Sequence, residues 1–203
     1  MARPKLTERR RLETLQAAVE VIADRGLCDT RIADVAAKAG SSPALILYYF
    51  GTKDRLLTEA LAFAEDRFYL DTFHELAGMR HPTDRLVRLI ELSCPVAGPK
   101  PEPEWTLWIE LWSRALRDPE AARKREALDR RWRQTIAETV RAGQRGGEFA
   151  DVDPDDLAYR LAAMMDGLAI QVLLRDSDMT RDRMREMCIG MVERELETNL
   201  IGA

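Results

Sequence analysis

Cysteine and histidine are scarce in this chain. Its 203 residues hold three cysteines, Cys28, Cys94 and Cys188, and two histidines, His74 and His81. The cysteines are far apart and odd in number, so no disulfide framework is expected, and none of their spacings suits a metal. There is no Gly-x-Ser-x-Gly elbow, no phosphate-binding glycine loop and no His-Glu-x-x-His run, so neither an enzyme activity nor a cofactor is expected. No apolar run approaches the roughly 18 residues of a membrane span. The start, Met1-Ala2-Arg3-Pro4-Lys5, lacks the apolar stretch of a signal peptide, which points to a cytoplasmic protein with no membrane partner. Eleven glycines and nine prolines are too few and too dispersed for a linker and act as punctuation.

What remains is a globular composition, 46% hydrophobic and 33% charged. The net charge is -4, which by itself disfavours a nucleic-acid partner, but it is unevenly placed. Residues 1–55 carry 10 basic and 7 acidic residues, and the rest of the chain carries 21 and 28. Arg3, Lys5, Arg9, Arg10 and Arg11 face only Glu8 in that stretch. A basic head on an acidic body suits a protein whose head meets phosphate. An ordinary solvated helix start has the same composition, so charge leaves both readings open.

Apolar residues recur at three- and four-residue steps nearly throughout, and alternating runs are scarce, so the expected fold is all-α with about nine helices. Thr7 is placed to cap a first helix over 8–25, with Leu12, Leu15, Ala18, Val19 and Ile22 inward and Gly26 as its stop. Thr30 is placed to cap a second over 31–39, stopped by Gly40. Ser42, with Pro43 at the first helical position, starts a third that ends at Phe50. Thr52 caps a fourth, to about Ala77, and Pro82 opens a fifth, to about Cys94. Four prolines between Pro95 and Pro103 predict a loop. A sixth helix follows over 104–117. Asp118-Pro119-Glu120 opens a seventh to Gln144, Asp153-Pro154 an eighth to Leu174, and Thr180 a ninth to Glu197. The expected domains are residues 1–55, a three-helix head, and 56–203, a helical body.

The second and third helices carry the strongest functional signal. Between Thr30 and Phe50, Ile32, Val35, Ala36, Ile46 and Phe50 form an inward face. Gly40 lies where the chain must turn within three residues. Two short helices joined by such a turn are the helix-turn-helix signature, whose second helix is narrow enough for a DNA major groove. Ser42, Pro43, Ala44, Leu45, Leu47, Tyr48 and Tyr49 would then face outward. Pro43 and Leu45 offer no polar reader, so thymine methyls, groove shape or water would carry part of the specificity. Thr30, Arg31 and Lys53 are expected phosphate contacts. An ordinary helical corner is the plain alternative, and a helical protein-interaction module without DNA binding is the alternative function.

The segment from Asp29 to Leu57 resembles the N-terminal motif of the TetR family of bacterial one-component repressors. The matching residues are Thr30, Asp34-Val35-Ala36, Ala39-Gly40, Ser42, Ile46, Phe50, Lys53-Asp54 and Leu56-Leu57. Two positions depart from the family pattern: Leu47 stands where tyrosine is common, and Tyr49 where histidine is common. The resemblance implies a homodimer on a palindromic double-stranded operator, released when a small molecule binds the body. Half-sites one turn apart require roughly 34–36 Å between the two recognition helices.

In the body, Trp105, Trp108 and Trp112 fall at i, i+3 and i+7 of one helix and share a face. They read either as a core stripe or as the aromatic wall of an effector site. Phe63 on the fourth helix could face them, and Asp166 or Glu110 could anchor a cation. The stretch from Glu104 to Asp176 is similar to the choline-responsive betaine-regulon repressor subgroup. That similarity implies a cationic effector, and a hydrophobic acyl or aromatic one stays open. The eighth and ninth helices carry Leu161, Met165, Leu168, Val172, Met184, Met187 and Met191, which by resemblance pair across the dimer axis. An intramolecular core is the alternative, and both could hold on different faces.

Overall fold

The computed structural model describes residues 3–96 and 103–200; side chains are described from residue 8 in the first of these stretches and from residue 105 in the second. These residues form helices and turns, with no strand among them. The helices are α1 (Arg3–Arg25), α2 (Ile32–Lys38), α3 (Pro43–Phe50), α4 (Lys53–Ala77), α5 (Pro82–Leu92), α6 (Pro103–Ala115), α7 (Pro119–Gly146), α8 (Pro154–Leu173) and α9 (Arg181–Leu196). Most of the expected Pro95–Pro103 loop, and the side chains of Arg3 and Lys5, lie outside the described residues.

Local chemistry sets most of the helix starts. The Ser42 hydroxyl accepts from the Leu45 amide at 3.2 Å, and the Thr52 hydroxyl accepts from Arg55 at 3.1 Å. Asp118 accepts from the Glu120 amide at 2.9 Å. Burial pushes its carboxyl up, but the backbone amides and Arg114 outweigh that and hold it below its ordinary value. Asp153 caps α8 through the Asp155 and Asp156 amides, and Thr180 caps α9 through Arg183. Each bond satisfies an amide that the first helical turn leaves unpaired.

Two expected starts are corrected. Helix α1 begins at Arg3, so Thr7 lies inside it and is no cap. At α2 the cap position belongs to Arg31, whose amide donates to Asp34 Oδ2 at 3.2 Å. Thr30 instead turns inward, 1% exposed, and its hydroxyl donates to the Gly26 carbonyl at 2.7 Å.

The chain forms two compact units, residues 1–70 with 103–128, and residues 71–102 with 129–203. In the first, Leu15, Ala18 and Ile22 of α1 meet Val35 and Ala36 of α2, Ile46 and Phe50 of α3, and Leu56, Leu57 and Leu61 of α4. Leu107 and Leu111 of α6 belong to the same core, and α6 packs on α1. Leu12, expected inward, is 44% exposed, one turn before the buried stripe starts at Leu15. In the second unit, α9 packs on α5 and α8. Its buried residues include Leu86 and Ile90 of α5, Ile136 and Val140 of α7, Leu157, Leu161 and Met165 of α8, and Met184, Cys188 and Val192 of α9. Arg160 of α8 pairs with Glu195 of α9 and with Asp156 at 2.9 Å, and both bonds raise its pKa.

Candidate nucleic-acid and effector sites

The α2–α3 corner is built by a left-handed glycine. Gly40 has φ +57°, a conformation that other residues adopt only at a cost, and it lets the chain leave α2 for Ser42 at once. Helix α3 has only eight residues, so two turns bury only Ile46 and Phe50. The outward side is apolar all the same. Ser42, Pro43, Ala44 and Leu47 are exposed, Leu45 and Tyr49 are half-buried, and Tyr48 is 81% exposed. Tyr48 leans edge-on against Tyr49, with 5.5 Å between ring centres.

Around this face the cationic groups differ in freedom. Arg31 is exposed at the head of α2. Lys53 is half-buried and donates to the Cys28 carbonyl at 3.3 Å, which leaves further ammonium hydrogens for a phosphate. Thr30 has no such freedom, because its hydroxyl is buried and already donates to Gly26. Arg11 pairs with Glu59 and lies 5.1 Å over the Phe50 ring, so it braces α1, α3 and α4 against one another. Arg9 is paired with Glu13 at 3.4 Å, and Arg10 is exposed.

Helix α6 presents two faces. Its inner face adds Leu107 and Leu111 to the core of α1–α4. Two polar contacts tie it further to that unit. Glu110 Oε1 accepts from the Leu27 amide at 3.2 Å, in the turn between α1 and α2. Arg114, only 16% exposed, pairs with Asp118 at 3.1 Å and with Asp54 at 3.4 Å, at the start of α4. Glu110 thereby fastens the turn through one of its carboxylate oxygens. Arg114 escaped sequence reading, although Glu110, Arg114 and Asp118 at four-residue steps form a legible polar stripe.

The other face of α6 carries the tryptophans, all half-buried. Trp105 meets Trp108 edge-on at 5.4 Å, and Trp108 meets Trp112 at 4.5 Å with a 42° tilt. The Arg125 guanidinium of α7 lies 4.6 Å from the Trp112 ring centre. The stripe is therefore a continuous aromatic surface that already engages a cation. Phe63 lines an open groove of about 620 Å³ with Leu12, Gln16, Ala17, Ala39 and Arg67, and no tryptophan lines that groove. Asp166 is on α8 in the second unit.

The residues expected at a dimer interface divide. Leu161, Met165, Leu168, Val172 and Met184 are buried within the single chain, so they are core and have little surface left to offer a partner. Met187 is 39% exposed and Met191 is half-buried, and Tyr159 of α8 is exposed as well. The thiols of Cys94 and Cys188 are pushed up by burial to about 11 and about 12, which makes them poor nucleophiles. Among the described residues no cluster of His, Cys, Asp and Glu could hold a metal, and no helix is long and apolar enough to cross a membrane.

A short serine-capped helix, carried on a left-handed glycine turn and presenting its outer side to solvent, defines a helix-turn-helix protein. Comparison with known proteins gives the family. Residues 15–60 match the model for bacterial regulatory proteins of the tetR family, and residues 82–197 match that for the BetI-type transcriptional repressor C-terminal domain. The chain belongs to this family of ligand-responsive, DNA-binding transcriptional regulators, whose members act as regulators and not as enzymes. The HTH-type transcriptional regulator BetI of Rhizobium meliloti is 29% identical over 190 residues, 94% of this chain and 91% of that protein. A putative transcriptional regulator from Saccharomonospora viridis, solved in complex with choline, is 36% identical, with a TM-score of 0.82 over 93% of this chain and 98% of that one. A putative TetR-family regulator from a Rhodococcus species is 26% identical, with a TM-score of 0.74 over 93% of this chain and 99% of that one.

Proposed function

We propose that this protein is a cytoplasmic repressor that holds a palindromic operator as a homodimer and releases it when a quaternary ammonium compound docks on the tryptophan face of α6. The observation that carries the reading is the unbroken row Trp105–Trp108–Trp112 on the helix whose opposite side is packed into the α1–α4 core. A quaternary ammonium nitrogen has no N–H to donate and is recognised by the negative faces of aromatic rings. The choline bound to the similar Saccharomonospora protein supports this class. A ligand on one side of α6 would strain the contacts on the other, Glu110 to Leu27 and Arg114 to Asp54.

On the DNA side, Arg31 and Lys53 are the phosphate contacts, and Ser42, Pro43, Ala44, Leu45, Leu47, Tyr48 and Tyr49 form the groove face. The apolar outer side of α3 supports this, because Leu47 and Tyr48 both stand exposed there. The partner subunit would meet the outward residues Tyr159, Met187 and Met191.

Titration of the full chain with choline, followed by tryptophan fluorescence and thermal melting, tests the effector. The parent protein is expected to bind and gain melting temperature. Trp108→Ala is expected to bind at least about tenfold more weakly. Equal stabilisation of both proteins by choline removes the tryptophan face from the site.

A further inference from the structure

The Trp112 ring is already engaged on two sides, by Trp108 at 4.5 Å and by the Arg125 guanidinium at 4.6 Å. The second distance is well inside the range over which a cation feels the ring quadrupole. A second cation cannot share that ring at low cost, because like charges repel and the electrostatic attraction is already taken up. We propose that Arg125 is a resident competitor for the effector: its guanidinium holds the Trp112 face in the ligand-free protein, and a quaternary ammonium binds there by displacing it. This rests on the effector reading above.

The exchange is chemically reasonable in one direction. Arg125 is half-buried, and a guanidinium that leaves the ring keeps five N–H donors with which to bond water or carboxylates. A quaternary ammonium nitrogen has no N–H, so it loses no hydrogen bond by docking on an aromatic face. The arrangement around Trp112 is also not fully satisfied. The Trp112 indole N–H is buried and has no acceptor among the described residues. An ammonium compound that also bears an oxygen would answer both features of Trp112, its face and its donor. Because Arg125 belongs to α7 and Trp112 to α6, the displacement removes one tie between these helices when the ligand arrives.

Calorimetric titration of the full chain with choline, and separately with tetramethylammonium, tests this. Arg125→Met keeps an unbranched stem and loses the charge, and is expected to bind both cations about five- to tenfold more tightly than the parent. Arg125→Lys keeps a cation on the same helix position and is expected to stay near the parent. Arg133→Met, which removes a guanidinium lying 5.1 Å over Tyr159, is the charge control and is expected to leave both affinities unchanged. If Arg125→Met does not fold, Arg125→Gln carries the same expectation. Affinity that is unchanged or weaker in Arg125→Met, with the parent still binding, overturns the competitor and leaves the effector reading standing. Arg125→Lys binding as tightly as Arg125→Met overturns it too. No binding of either cation by the parent or by Arg125→Met overturns both.

Discussion

The α2–α3 corner and the α8–α9 pair begin from the same sequence signal, apolar residues at helical spacing, and end in opposite arrangements. Helix α3 buries Ile46 and Phe50 and leaves Leu47 and Tyr48 in solvent. Helices α8 and α9 turn Leu161, Met165 and Met184 into their own unit and leave mainly Tyr159 and Met187 outside. Length explains the difference. An eight-residue helix makes two turns and can place one or two side chains in a core, so its surplus apolar residues must look outward. A twenty-residue helix has room for a full stripe against a neighbour in the same chain. An apolar surplus on a short helix therefore points to an external partner, whereas a stripe on a long helix points first to the chain itself.

The largest expected effect breaks or upholds that contrast directly. Leu161→Ala should cost about 2–5 kcal/mol of folding stability in denaturant titration, as for other buried leucines. Met187→Glu should leave stability within about 1 kcal/mol per protomer and shift the sedimentation profile towards monomer. If Leu161→Ala alters only the association state, the α8 stripe is interface after all. A middle-sized effect concerns the corner. Arg31→Ala and Lys53→Ala should each weaken binding to operator and nonspecific DNA alike, and lower the slope of log affinity against log salt by about 1. An unchanged slope in both variants would remove them from the phosphate set. The smallest effect sharpens the account of how α3 is held. Ser42→Ala should cost about 1 kcal/mol through loss of the bond to the Leu45 amide, measured by thermal melting in the absence of DNA.

Much of the corner was legible because it is decided locally. Ser42, Gly40 and Thr52 act on backbone groups within three residues, and such interactions depend little on the rest of the molecule. The exceptions are instructive. Thr30 has the composition of a cap, but a carbonyl four residues back, on Gly26, offered its hydroxyl a buried partner, and the cap position passed to Arg31. The tryptophan row was visible as a face by spacing alone. That Arg125 would lie on Trp112 was not, because the two residues belong to successive helices whose packing no local pattern encodes. Likewise Phe63 had the right residue type for an aromatic wall, but its position on α4 directs it to a groove beside Leu12 and Ala39.

The sequence by itself determined most of the helix starts and turns, and which helix is too short to bury its own apolar side. Those outcomes follow from amides, hydroxyls and glycine torsions that are neighbours along the chain. Tertiary structure alone decided what each buried face meets. Gly143 makes the point: in sequence it is a weak helix former inside α7, but a Cβ there would come within 2.0 Å of the Phe149 ring. Its small size is required by a side chain that returns against the helix after the turn at Gly147. Close packing is a property of surfaces brought together from separate elements, so it cannot be read from either element alone.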